Sequence, residues 1–173
     1  FLFHGVGGSA DGILKDSQFA TLQAKNNFVL VVPESERGAD GKAVLKTDWY
    51  YGDAKYDLDN PDLTYFDDLL NCVGKSFKLD PTRVYITGMS GGGLFSTFVG
   101  LHRSKVVAAA APFSGGYLAG LTFPQEAQKT PFMVSWGGDT DFAFSQDFNA
   151  LASNLIAALS GHGNPLVQCN HGT

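Results

Sequence analysis

The chain has 173 residues, which at roughly 150 per domain predicts a single domain over residues 1–173. Its 44% hydrophobic, 17% charged and 13% aromatic content excludes disorder and collagen-like order. A net charge of −5 with no basic cluster speaks against nucleic acid as a partner, and no apolar run reaches the ~18 residues of a membrane span.

The chain opens on Phe1-Leu2-Phe3, which already reads as the interior of a strand. It ends at Thr173, soon after another. These ends predict a fragment truncated at both sides, with no signal peptide in view. Residues 28–32 read as the next strand. The stretch 35–60 is then a loop of about 26 residues, long enough to be functional, and it carries Trp49, Tyr50 and Tyr51. Asn60-Pro61 suits a helix start, and Leu63, Phe66, Leu69, Leu70, Val73 and Phe77 follow at helical spacing. A strand at 84–86 precedes a helical stripe of Leu94, Phe95, Phe98 and Leu101. Strands at 106–111 and 132–136 come next. A last stripe of Phe148, Leu151, Leu155 and Leu159 has Ser145 as expected N-cap and Gly161 as expected stop, before a strand at 166–169. The alternation predicts an α/β fold: a mostly parallel sheet of about six strands, helices on both faces, and the working loops on one edge.

Cys72 falls in the third turn of the expected helix Asp62–Phe77, far from the working edge, and Cys169 ends the last strand on that edge. A five-residue strand is about 17 Å long and a disulfide needs Cα atoms within about 7 Å, so the two are not expected to bridge. Two cysteines are also too few for a disulfide scaffold or a four-ligand zinc site.

Glycine is enriched, at 21 residues, and clusters where apolar runs end. One cluster, Gly88-Met89-Ser90-Gly91-Gly92, fits G-x-S-x-G. At this composition the bare pattern arises by chance in roughly one chain in six, so it is weak alone. The strand before it and the helix after it supply the setting of a nucleophile elbow, against the plainer reading of a glycine-rich structural turn. A serine hydroxyl needs a base, and the base an orienting carboxylate. Gly137-Gly138-Asp139-Thr140-Asp141 follows a strand on the same edge; Asp141 is the preferred orienter, and Asp139 suits an N-capping role. His171 follows the last strand, completing the order Ser, Asp, His. His102 and His162 read as surface residues and His4 as a loop organiser. The amides of Val6 and Gly91 are the expected oxyanion donors. For Trp49 and Tyr50, with Tyr51, two roles stay open: stacking on an aromatic acyl group, or packing the loop down.

A rival reading starts from Gly5-Val6-Gly7-Gly8-Ser9-Ala10, which also fits the dinucleotide fingerprint, with Glu34 as the ribose-binding acid. Glu34 lies about 29 residues on, where about 20 is usual, and no strong helical stripe starts right after the glycines.

Three stretches carry a family resemblance: Phe3-His4-Gly5-Val6-Gly7-Gly8-Ser9, the run from Asp80 to Gly93, and Gly138-Asp139-Thr140-Asp141. The chain resembles the serine esterases of the α/β-hydrolase superfamily, in the branch of polyhydroxybutyrate-depolymerase-like and feruloyl-esterase-like proteins. The resemblance implies ester hydrolysis with Ser90 as nucleophile, Asp141 as triad acid, and Val6 and Gly91 as oxyanion donors. It also implies a small-molecule or polymeric ester substrate, no cofactor or metal, and secretion, as in many members. Val6 stands where many members carry cysteine. Members place their histidine in a Gly-His pair shortly after the last strand, so the base is His171 or a histidine beyond residue 173. A serine peptidase, a thioesterase or a catalytically incomplete fragment are the alternatives.

Overall fold

In chain order, β1 (Leu2–Phe3) leads to α1 (Ala10–Ser17) and α2 (Phe19–Asn26), then α3 (Pro61–Ser76), β2 (Val84–Met89), α4 (Gly91–His102), β3 (Val107–Phe113) and β4 (Phe132–Trp136). A hairpin of β5 (Phe142–Ala143) and β6 (Gln146–Asp147) precedes α5 (Phe148–His162) and β7 (Leu166–Asn170). These elements come from a computed structural model that describes residues 1–51, 60–118, 123–124 and 126–172; positions 52–59 of the long loop lie outside the described residues.

The main sheet runs β1-β2-β3-β4-β7, and every neighbouring pair is parallel. All five strands therefore end on one edge, and the segments after Phe3, Met89, Phe113, Trp136 and Asn170 gather there. The sheet has five strands among the described residues, not about six. Residues 28–32 run beside β1 but are tied to it by one backbone bond, Leu2 N–H to the Val31 carbonyl at 2.9 Å, so no ladder forms.

Local chemistry explains most of the helices. Asn60 accepts from the amides of Asp62 and Leu63, Pro61 takes the first turn, and Leu63 and Phe66 face the core. Helix α4 is buried from Gly91 to Leu101, as a helix apolar all round must be. Helix α5 is capped by Asp147, whose side chain accepts from the Ala150 amide, and it ends at Gly163 with φ 80°. Ser145 and Gly161, the expected cap and stop, are displaced by two residues. The β5–β6 hairpin claims Ser145 for its turn, with φ 63°, and Gly161 still lies inside the helix. Helices α1 and α2 were not expected. Each is only eight residues long and buries none of them.

The core joins Phe3, Phe66, Ile86, Phe95, Phe98, Val134 and Leu155 with the rings around them. Cover of the sheet is uneven. Leu2 and Phe3 are both buried, so both faces of β1 are covered, whereas Tyr85 and Met89 on one face of β2 are 56% and 55% exposed. Cys72 and Cys169 are both free and exposed. Among the described residues, no helix is long and apolar enough to cross a membrane.

Candidate active site

Ser90 sits between β2 and α4 with φ 56° and ψ −121°. A backbone of this kind costs a residue with a side chain about 1–3 kcal/mol and survives only where its surroundings enforce it. Here the Ser90 amide donates to the Phe113 carbonyl at 3.0 Å, and the Ser90 carbonyl accepts from the Leu94 amide at 2.9 Å. The approach is too close for side chains nearby. A Cβ on Gly88 would stand against the Gly92 carbonyl and 2.7 Å from the Phe3 carbonyl; one on Gly92 would run into the carbonyls of Phe3 and His4. The side chain of Ser90 makes no capping bond, and the residue is half-buried at the working edge.

The β1–α1 loop reaches over this turn. A Cβ on Gly5 would lie 3.3 Å from Ser90 Cβ and 3.8 Å from its Oγ. A Cβ on Gly91 would lie 3.2 Å from the Val6 amide nitrogen and 2.7 Å from Val6 Cγ2. Helical Cβ atoms tilt toward the N-terminus, so that spot lies at the open end of α4. The Gly91 amide there has no intrahelical partner, and the helix dipole favours negative charge. Ser90, Val6 and Gly91 are thus brought to one place.

Of the residues that hold this loop, the sequence pointed to His4 alone for that role. Asp48, buried and at φ 61°, accepts from the Gly7 amide at 2.6 Å and from Ser35 Oγ at 2.7 Å. Glu34 Oε2 accepts from the Ala10 amide at 2.9 Å, and Arg37 donates to Glu34 Oε1 at 2.6 Å and to the Gly8 carbonyl at 2.7 Å. His4 is fully buried; its Nδ1 pairs with the Gly5 carbonyl at 2.9 Å, and its Nε2 lies 3.3 Å from Glu34. It organises the loop, as expected. Four side chains therefore clamp residues 5–10 from beneath.

Partial burial of Glu34 opposes its charge, yet the bonds from Ala10 and Arg37, with the nearby His4 and Arg37, hold its carboxyl below the usual range. A carboxyl lowered in the folded state adds stability above its unfolded pKa of about 4.3 and loses it as pH falls through the lowered value. The melting temperature of Glu34→Gln should therefore trail the wild type at pH 6, and the gap should narrow on acidification below about pH 4. Parallel melts across that range test this; a gap that widens in acid would refute it.

Trp49 takes the packing role of the two left open. It is fully buried, donates Nε1–H to the His4 carbonyl at 2.9 Å, stacks on Phe95 at 5.2 Å and meets Phe3 edge-on. An indole so enclosed has no face left for a substrate. The backbone of Tyr50 is pinned by α3, its amide donating to Asp62 at 2.7 Å and its carbonyl accepting from Asn60 at 2.9 Å.

After β4, Asp141 turns back so that its Oδ2 accepts from the Gly137 amide at 2.8 Å. Asp139 is exposed and accepts from Asn149 Nδ2 at 3.0 Å, which in turn holds Trp136 Nε1. His171 continues β7, its amide bonded to the Trp136 carbonyl at 3.1 Å, and the next residue lies against Gly137 and Gly138. His171 and Asp141 thus flank the same turn. The imidazole is exposed, and among the described residues no hydrogen bond joins it to Asp141 or Ser90. Among the described residues, no cluster of His, Cys, Asp and Glu could hold a metal ion.

No protein-family model matches this chain. It is similar to feruloyl esterase B of Piromyces equi, 28% identical over 110 residues, covering 64% of this chain and 19% of that protein. It is also similar to an oxidized polyvinyl alcohol hydrolase of a Pseudomonas species, 37% identical over 57 residues, covering 33% of this chain and 15% of that protein. The matches thus span under a fifth of those relatives' lengths. Among solved structures, a fluorophosphonate-binding serine hydrolase of Staphylococcus aureus, FphF, superposes with a TM-score of 0.65 at 16% identity, covering 99% of this chain and 74% of that one. The chain has the α/β-hydrolase fold. In that fold the nucleophile sits on a sharp strand-to-helix turn, and one oxyanion amide comes from the loop between an early strand and the first helix. Ser90 and the β1–α1 loop occupy those two places. The dinucleotide reading fares worse on this scaffold. A helix does follow the glycines, contrary to expectation, but the Glu34 carboxylate already occupies the Ala10 amide at its start and would repel a phosphate there.

Proposed function

We propose that this chain hydrolyses carboxylic esters through an acyl-enzyme formed on Ser90. The observation that carries the reading is the enforced backbone of Ser90, whose side chain caps nothing, at a turn where the loop carrying Val6 packs against the start of α4. Similarity to a feruloyl esterase and to an oxidized polyvinyl alcohol hydrolase supports ester substrates, and the fold of a serine hydrolase supports the nucleophile.

Ser90 Oγ attacks the ester carbonyl carbon while His171 accepts its proton. Negative charge collects on the carbonyl oxygen, facing the amides of Val6 and Gly91. The carbon–oxygen bond to the alcohol breaks, and His171 returns the proton to the departing alkoxide. Water then attacks the acyl-serine by the same path and releases the acid. Asp141 keeps the imidazole in the tautomer that can accept from serine.

A fluorophosphonate probe should label Ser90, and a short-chain aryl ester should be turned over. An unlabelled Ser90 in a folded chain ends the proposal. The two acids separate by their surroundings. Asp141→Asn should lower kcat by about 10⁴, the scale of the wrong tautomer, and His171→Ala should fall to the residual rate of the oxyanion hole. Asp139→Asn loses one exposed bond to Asn149 and should stay near wild type. If the two aspartates trade effects in the same assay, Asp139 is the triad acid.

A further inference from the structure

We infer that the hydroxyl of Tyr51 is a third donor to the oxyanion, beside the amides of Val6 and Gly91; the inference rests on Ser90 being the nucleophile. The hydroxyl lies 3.5 Å from the point a Cβ on Gly91 would occupy, and the Val6 amide nitrogen lies 3.2 Å from that same point. The Tyr51 hydroxyl, the Val6 amide and the Gly91 amide are thus grouped about the open end of α4, where a Cβ on Gly91 would also stand 2.7 Å from Val6 Cγ2.

The position of Tyr51 is set by its neighbours. Trp49 is locked under the β1–α1 loop, and Tyr50 is bonded through its backbone to Asn60 and Asp62 at the start of α3. The ring of Tyr51 then packs against the main core and against the small cluster of Leu94, Phe148 and Leu151. A tyrosine hydroxyl in such surroundings ordinarily finds a partner, yet this one makes no hydrogen bond among the described residues. A substrate oxygen beside Val6 N would supply the missing acceptor.

The chemistry suits the task. As Ser90 Oγ bonds to carbon, the carbonyl electron pair moves onto oxygen, and a neutral phenol donates to it without giving up its proton. Burial, with the Asp48 charge adding to it, pushes the Tyr51 pKa up to about 12, so the hydroxyl keeps its proton throughout the working range. A phenolate would instead repel the developing charge.

Tyr51→Phe separates this role from packing, because the ring stays and only the hydroxyl goes. The whole chain is assayed for kcat and KM on a short-chain aryl ester, for its melting temperature, and for the rate of Ser90 labelling by a fluorophosphonate, whose tetrahedral adduct puts an oxygen in the same place. The variant should lose about 10²-fold in kcat and in labelling rate. KM should change less than about twofold and the melting temperature less than about 2 °C. Equal kcat and labelling rates in the two proteins would make Tyr51 a wall and overturn the inference while leaving Ser90 in place. If the wild type itself is not labelled at Ser90, the nucleophile assignment fails, and this inference falls with it.

Discussion

Ser90→Ala should abolish ester turnover and leave the fold intact. The substitution removes one hydroxyl that caps nothing. Both bonds that hold the residue, to Phe113 and Leu94, are made by its backbone and survive. No cavity opens, and alanine tolerates φ 56° about as poorly as serine does. Stability should thus stay within about 0.5 kcal/mol, while kcat falls on the order of 10⁶, as when a serine nucleophile is removed from a working triad. Turnover of an aryl ester beside a thermal melt checks both halves. A folded variant with wild-type turnover would take Ser90 out of the mechanism.

Gly92→Ala should do the opposite, breaking the scaffold before the chemistry. The added methyl would overlap the carbonyls of Phe3 and His4, both main chain in the strand and loop beside the elbow. The Gly92 carbonyl is held by Ser96 Oγ at 2.7 Å, so the helix has little freedom to retreat. Overpacking a close-packed site costs about 1–3 kcal/mol and occasionally more. With two backbone obstacles we expect at least about 3 kcal/mol, a fall of roughly 6–12 °C in Tm for a domain of this size. Gly161→Ala is the matched control. It lies in α5 with open space around its Cβ, and alanine there should be neutral or stabilise by up to about 1 kcal/mol. If both variants melt with the wild type, the elbow is looser than its geometry implies.

The contrast between these glycines was half legible beforehand. Clustering at 88, 91 and 92 marked a turn, and the flanking strand and helix marked its kind. Which glycine admits no side chain depends on Phe3 and His4, far away in sequence and delivered by the parallel pairing of β1 with β2. Trp49 shows the same division. Its presence in a long loop on the working edge was readable, with packing the favoured role, but stacking stayed open until Phe3, Phe95 and the His4 carbonyl enclosed it.

The sequence by itself determined the α/β alternation, the start of α3 at Asn60-Pro61, the strand–turn–helix around Ser90 and the order of Ser90, Asp141 and His171. The elements and the turn are each written locally, in apolar period, capping chemistry or bounding glycines, and the order of the three residues is read directly from the chain. Tertiary structure alone decided that residues 28–32 stay out of the ladder and that Glu34, Arg37 and Asp48 clamp the β1–α1 loop. It alone brought Tyr51 to face Gly91. The bonds from Gly7 to Asp48 and from Trp49 to His4 join residues 41 and 45 positions apart. A hydrogen bond across such a distance leaves no period and no spacing in the chain, because either partner alone is an ordinary polar or aromatic loop residue until the sheet brings them together.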